Sequence, residues 1–344
     1  MRIFVLSFKK FLFTFLIIFF IFALVLFSKS NLNAAKNGLQ IWTSSIIPSL
    51  FPFFVATELL CSTNFINFIG KYLNKIMRPV FNVPGQGSFA LIMGLISGYP
   101  TGAKIVCNLR NSNLCSKIEA ERLLTFTNNS GPLFIISVVG ISIFSSSEIG
   151  YLLLFTHILS AITIGIIFRF WKKNLGIPSK SNLPIKSSLN QNNIGTILTE
   201  SIKKSISAIL NIGGFIVVFS VIISILENIY LFDFFKKTLE FLNISEKISL
   251  PFISGLFELS NGLNKLSIIN TPNITNMIIL AAFIIGFGGI SVAVQVYSII
   301  SKTDISIKPY LLAKVLQGII ASFYTFVLIN LFPIFNLNLW KQTC

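Results

Sequence analysis

The chain has 344 residues, of which 53% are apolar and 11% charged, and its Lys and Arg residues give a formal net charge of +16. At a mean hydropathy of +0.81, so little polar surface cannot cover a water-soluble globule, and the composition specifies a polytopic membrane protein with the lipid bilayer as partner. The cations flank apolar runs instead of gathering on one face, which excludes a nucleic-acid partner and fits lipid headgroups.

Arg2, Lys9 and Lys10 precede an uncharged run over 11–27. It reads as a retained first membrane helix with its basic end in the cytoplasm; a signal peptide has a similar composition, with Ala34-Ala35 as its cleavage site. The next run, 37–57, contains Pro48 and Pro52 and ends at Glu58. Over 64–80 apolar residues repeat at helical spacing with Asn67, Lys71, Asn74, Lys75 and Arg78 opposite, the pattern of a helix lying in the membrane interface. An uncharged run over 79–103 then follows, interrupted by Gly85, Gly87, Gly94, Gly98, Pro100 and Gly102. Such a density of breakers predicts a re-entrant hairpin, because a continuous helix tolerates it poorly. Arg110, Lys117 and Arg122 place its exit in the cytoplasm. Residues 123–147 cross outward with a polar break from Thr127 to Pro132, and 149–168 return. A Ser-, Asn-, Pro- and Lys-rich stretch over 172–195 reads as a cytoplasmic linker.

After the linker the pattern begins again. A crossing at 205–226 leads to a second interfacial segment at 228–247 and a second broken segment at 248–267. A run at 276–301 carries Gly286, Gly288 and Gly289 at its middle, and 309–333 crosses last. GLISGYPTGAK at 94–104 aligns without a gap on GLFELSNGLNK at 255–265, and the alignment of the following runs places Gly131 on Gly288. Three crossings per half is an odd number, so the halves face opposite ways. The expected fold is an all-α polytopic membrane protein, an inverted repeat with two re-entrant hairpins and about seven transmembrane helices. Its parts are an N-terminal helix and loop (1–36), a first repeat (37–171), the linker (172–195) and a second repeat (196–344). Paired broken segments in an inverted repeat are a secondary-transporter architecture.

Catalysis finds no support in the residues. His157 stands alone in an apolar helix, the eleven carboxylates form no acid–base pair, and the four cysteines have no metal-like spacing; no catalytic residue, metal or cofactor is expected. A binding site for a small, anionic solute is better supported. Helix ends at the hairpin tips present backbone N–H groups and a partial positive charge. Ser97, Gly98, Tyr99, Thr101 and Gly102 supply close backbone approach, hydroxyls and a ring; Asn128, Asn129 and Ser130 add neutral donors and acceptors. Glu258 and Asn261 occupy the second hairpin, and Lys104 and Lys265 fall at matching positions of the two halves, where they are expected to neutralise the anion.

The runs SGYPTGAK, EAERLLTFTNNSGPLF and FGGISVAVQV, with KPYLLAKVLQGIIAS, resemble the sporulation integral membrane protein YlbJ family over about residues 40–330. That family carries the nucleoside-recognition Gate domain and is distantly similar to concentrative nucleoside transporters. The resemblance implies that the two repeats are Gate repeats. It implies as substrate an aromatic dicarboxylate, dipicolinic acid, moved from mother cell toward forespore across the outer forespore membrane. A nucleoside or nucleobase transporter and a non-transporting scaffold of the spore envelope remain the alternatives, and the sequence leaves a homo-oligomer open.

Overall fold

The computed structural model describes residues 2–63, 65–172, 193–241, 246–269 and 274–331. Residues 173–192 of the expected linker, 242–245 of the second interfacial segment and 332–344 lie outside these. Among the described residues every regular element is a helix. In the first half, α1 (Arg2–Leu26) is followed by α2 (Ser28–Ile41), which runs through a π-helical turn at Trp42–Ile46 into α3 (Ile47–Cys61). Next come α4 (Phe65–Phe81), the hairpin arms α5 (Gly87–Ser97) and α6 (Thr101–Asn111), α7 (Lys117–Thr127), a π-helical segment (Phe134–Ile143) and α8 (Ser147–Phe168). The second half repeats the order: α9 (Ile194–Asn228), α10 (Leu231–Phe241), the arms α11 (Glu246–Phe257) and α12 (Leu259–Ser267), α13 (Ile274–Phe287), α14 (Gly289–Ile300) and α15 (Lys308–Leu331).

Five described segments are long and apolar enough to cross a bilayer: Ser28–Cys61, Ser147–Phe168, Ile194–Asn228, Ile274–Ile300 and Lys308–Leu331. The other two expected crossings fall on shorter apolar helices, Phe11–Leu26 and Phe134–Ile143, the second of which continues α7 beyond the polar break. Phe11, Phe13 and Phe22 of α1 are exposed, a surface suited to hydrocarbon.

Local chemistry marks several of the helix ends. Ser116 caps α7 through a capping box, its Oγ accepting from Glu119 N at 3.3 Å while Glu119 Oε2 accepts from Ser116 N at 2.8 Å. Gly98 ends α5 at φ +78°, and Gly288 separates α13 from α14 at φ +81°; Gly288 is in the left-handed helical conformation, which costs other residues about 1–2 kcal/mol. Glu258 interrupts the second hairpin and caps α12 by accepting from Asn261 N at 2.7 Å.

The helices that open the two halves pack antiparallel. Asn228 Nδ2 donates to Ser30 Oγ at 3.1 Å, Gly38 lies against Ser220, and Trp42 Nε1 donates to Ile209 O at 3.0 Å. Residue numbers thus rise along α2 as they fall along α9, the direction an inverted repeat requires. Other cross-half contacts come in matching pairs: α6 on α14 with α12 on the 134–143 segment, and α7 on α15 with α13 on α8. Lipid tails offer no hydrophobic contrast to apolar side chains, so close backbone approach through small residues holds such packing. Gly94 and Gly102 both rest on the Thr127 carbonyl, where a Cβ on either would collide. Loops assigned to one membrane face by charge also meet: Arg110 pairs with Asp304 at 2.9 Å, and Arg122 donates to the carbonyls of Trp171 and Asn82.

Candidate functional site

A cavity of about 50 Å³ lies where the halves cross. Ile46 and Leu50 of the first opening helix face Ile212 and Ile216 of the second across it. Both hairpin tips reach it, Tyr99 from the first and Glu258, Leu259 and Ser260 from the second; the breaks contribute Ser130 and Gly131 on one side and Val292 and Gln295 on the other. Gln295 Oε1 is buried without a hydrogen-bond partner among the described residues, an acceptor left available to a donor inside the cavity.

Behind the Tyr99 ring lies a buried lysine. Lys314 of α15 is 2% exposed. Its Nζ donates to Gln317 Oε1 at 2.7 Å and to Tyr99 Oη at 3.3 Å, and it stands 5.1 Å from the Tyr99 ring and 5.8 Å from that of Tyr310. These distances are within cation–π range. Among the described residues no carboxylate pairs with it. The network continues into the first break: Gln317 Nε2 donates to Asn129 Oδ1 at 2.9 Å, and Asn128 Nδ2 donates to Tyr310 Oη at 3.0 Å. Ser130 N donates to His157 Nε2 at 3.2 Å, so the proton of a neutral imidazole sits on Nδ1.

The residues named from the sequence divide into three groups. Tyr99, Ser130 and Glu258 line the central cavity; Asn129 bonds Gln317, the partner of Lys314, and Asn128 bonds Tyr310, whose ring lies 5.8 Å from the Lys314 amine. Glu258 Oε2 accepts from the backbone and side-chain N–H of Asn261, so the α12 N-terminus already has an acceptor within the chain. Ser97, Gly98 and Gly102 serve packing: Ser97 Oγ bonds Thr57 Oγ1 at 2.5 Å, and a Cβ on Gly98 would come 2.9 Å from Gly131 N. Thr101 and Lys104 line a separate cavity beside Glu58, whereas Asn261 and Lys265 line another beside Glu227, to which Lys265 is ion-paired. The two lysines therefore do not converge on one ligand.

Sequence reasoning passed over Tyr310, Lys314 and Gln317, although they stand in the quoted KPYLLAKVLQGIIAS run. The available signal was an ionisable residue inside an apolar crossing, which marks function by default. His157, alone in its apolar helix, accepts the backbone N–H of Ser130 and so positions the first break.

Paired broken helices, two hairpins and a central cavity backed by a buried lysine define a transporter-like integral membrane protein. The family model described as nucleoside recognition, Gate, matches residues 43–188. The sporulation integral membrane protein YlbJ of Bacillus subtilis (strain 168) is 36% identical over 318 residues, covering 87% of this chain and 78% of that protein. The chain belongs to the YlbJ family of sporulation integral membrane proteins. No solved structure matches it.

Proposed function

We propose that the chain is a secondary-type transporter of a small aromatic anion, foremost dipicolinic acid, moved from the mother cell toward the forespore. Its place would be the cell membrane and, during sporulation, the outer forespore membrane. The observation that carries the anionic part is Lys314. Burial without a counter-charge disfavours the ammonium form of this lysine, and a substrate carboxylate arriving beside Tyr99 would supply the charge partner that its protonated form lacks among the described residues. The Tyr99 ring in the cavity wall offers a face on which a flat ring can stack. At about 50 Å³ the cavity admits a few waters, whereas ligand pockets usually enclose about 300–1,000 Å³. Binding then requires the two halves to part, the rocking motion on which alternating access depends. With no acid–base pair at the cavity, we read the site as serving transport and not catalysis.

A nucleoside or nucleobase is the second reading, favoured by the description of the matching family model and by the amides of Asn128, Asn129 and Gln317. Uptake into proteoliposomes containing the purified chain separates the two. Concentrative or exchange uptake of labelled dipicolinate, with uridine neither transported nor competing, is the expected result. Uridine uptake without dipicolinate uptake would replace the first reading by the second.

A further inference from the structure

The two cavities that hold the matched lysines are built alike from exchanged halves. In one, Ser224 and Glu227 of α9 face Asn261 and Lys265 of α12, and Ala34 of α2 closes the wall from the other half. In its counterpart, Thr57 and Glu58 of α3 face Thr101 and Lys104 of α6, and Ser205 of α9 closes the wall from the other half. Each thus joins an opening helix, the second arm of a hairpin and one helix of the opposite repeat, with a lysine on the hairpin arm and a glutamate on the opening helix. Their volumes differ greatly: about 520 Å³ beside Lys265 and about 20 Å³ beside Lys104. The larger holds a small solute with its hydration; the smaller has room for about one water.

We propose that these are the two vestibules of one pathway, equivalent by the internal repeat and open in alternation, and that the structure has the Lys265 vestibule open and the Lys104 vestibule shut. The inference rests on the transporter reading. A small carboxylate enters the open side against Lys265, whose bond to Glu227 it exchanges for its own, passes the central cavity and leaves past Lys104. Equivalent walls explain why two lysines of matched sequence position stand in separate cavities. In an inverted repeat, equivalent residues away from the crossing point are carried to opposite faces, so each vestibule needs its own cation. With only one vestibule open at a time, a continuous leak across the bilayer is avoided.

Native Cys61 lines the shut vestibule and reports on it directly. In the full chain with Cys107, Cys115 and Cys344 changed to Ser and with Ala34→Cys, reaction with a small charged methanethiosulfonate is measured in detergent micelles, where both faces are reachable. The thiol introduced at position 34 is expected to react at least tenfold faster than Cys61. Attaching a bulky maleimide at position 34 then props the first vestibule open, and the remaining Cys61 reactivity should fall at least fivefold. Asn37→Cys, on the same wall, replaces Ala34→Cys should that variant not fold. Equal rates at the two sites, or a Cys61 rate indifferent to the prop, would overturn the proposal. Neither step uses a substrate. A resting asymmetry that responds to the prop but not to dipicolinate would count against the substrate assignment and leave the alternation standing.

Discussion

Replacing Lys314 by Met separates binding from stability. The variant loses the hydrogen bonds to Gln317 and Tyr99, at about 1 kcal/mol each, and leaves Gln317 Oε1 without its donor, at about 1–3 kcal/mol. Against this, it removes a lysine amine buried without a carboxylate among the described residues, and burying such a polar group costs about 1–3 kcal/mol. The two sides partly cancel, so the unliganded protein should lose about 2 kcal/mol of stability. Ligand binding has no such compensation. Losing one charge-assisted hydrogen bond costs about 1.5–3 kcal/mol, or roughly ten- to more than a hundredfold in Kd. Thermal unfolding of the purified protein at a dipicolinate concentration of about 100 Kd for the unmodified chain should show about 2.7 kcal/mol of stabilisation; in Lys314→Met the same concentration should give about 0.3–1.3 kcal/mol. An unchanged Kd in a folded Lys314→Met protein would refute the role given to this lysine.

Lys104 lines a different cavity from Tyr99, so Lys104→Gln should leave the ratio of dipicolinate to picolinate affinities unchanged in a direct binding measurement. Gly288→Ala forces a side chain into a left-handed conformation and brings its Cβ 2.9 Å from Tyr99 Oη; a loss of about 1–2 kcal/mol in unfolding free energy from the backbone alone is expected, with weakened ligand binding as Tyr99 is displaced. The Arg110 guanidinium, by hydrogen bonding, holds the Asp304 carboxyl below its ordinary pKa. A depressed carboxylate stabilises the fold above the unfolded-state value and loses that contribution as pH falls through the folded one. Asp304→Asn should therefore cost under about 1 kcal/mol at neutral pH, and nothing once the carboxylate of the unmodified chain is protonated, as followed by denaturation at several pH values.

Glycine, proline and polar residues inside uncharged runs determined where helices break, because backbone freed at membrane depth needs small residues for close packing and partners for its polar groups. The hairpin at Gly98-Tyr99-Pro100, the break at Asn128–Gly131 and the interruption at Gly288 were legible for that reason, as was the amphipathic α4. Repetition of the same order, with an odd number of crossings expected in each half, led to the expectation that the halves oppose each other, and the antiparallel packing of α2 on α9 agrees with it. The sequence could not say which matched residues meet. Near the crossing point the two opening helices face each other, as Leu50 and Ile216 do across the central cavity, whereas Lys104 and Lys265 lie away from it in separate cavities. Nor could it assign Lys314, whose surroundings are supplied by Tyr99 from a hairpin and, through Gln317, by Asn129 from a break, both in the other half of the chain. Only tertiary packing decides whether a lysine in an apolar helix reaches headgroups or is held between rings, because that depends on what the neighbouring helices place around its ammonium group.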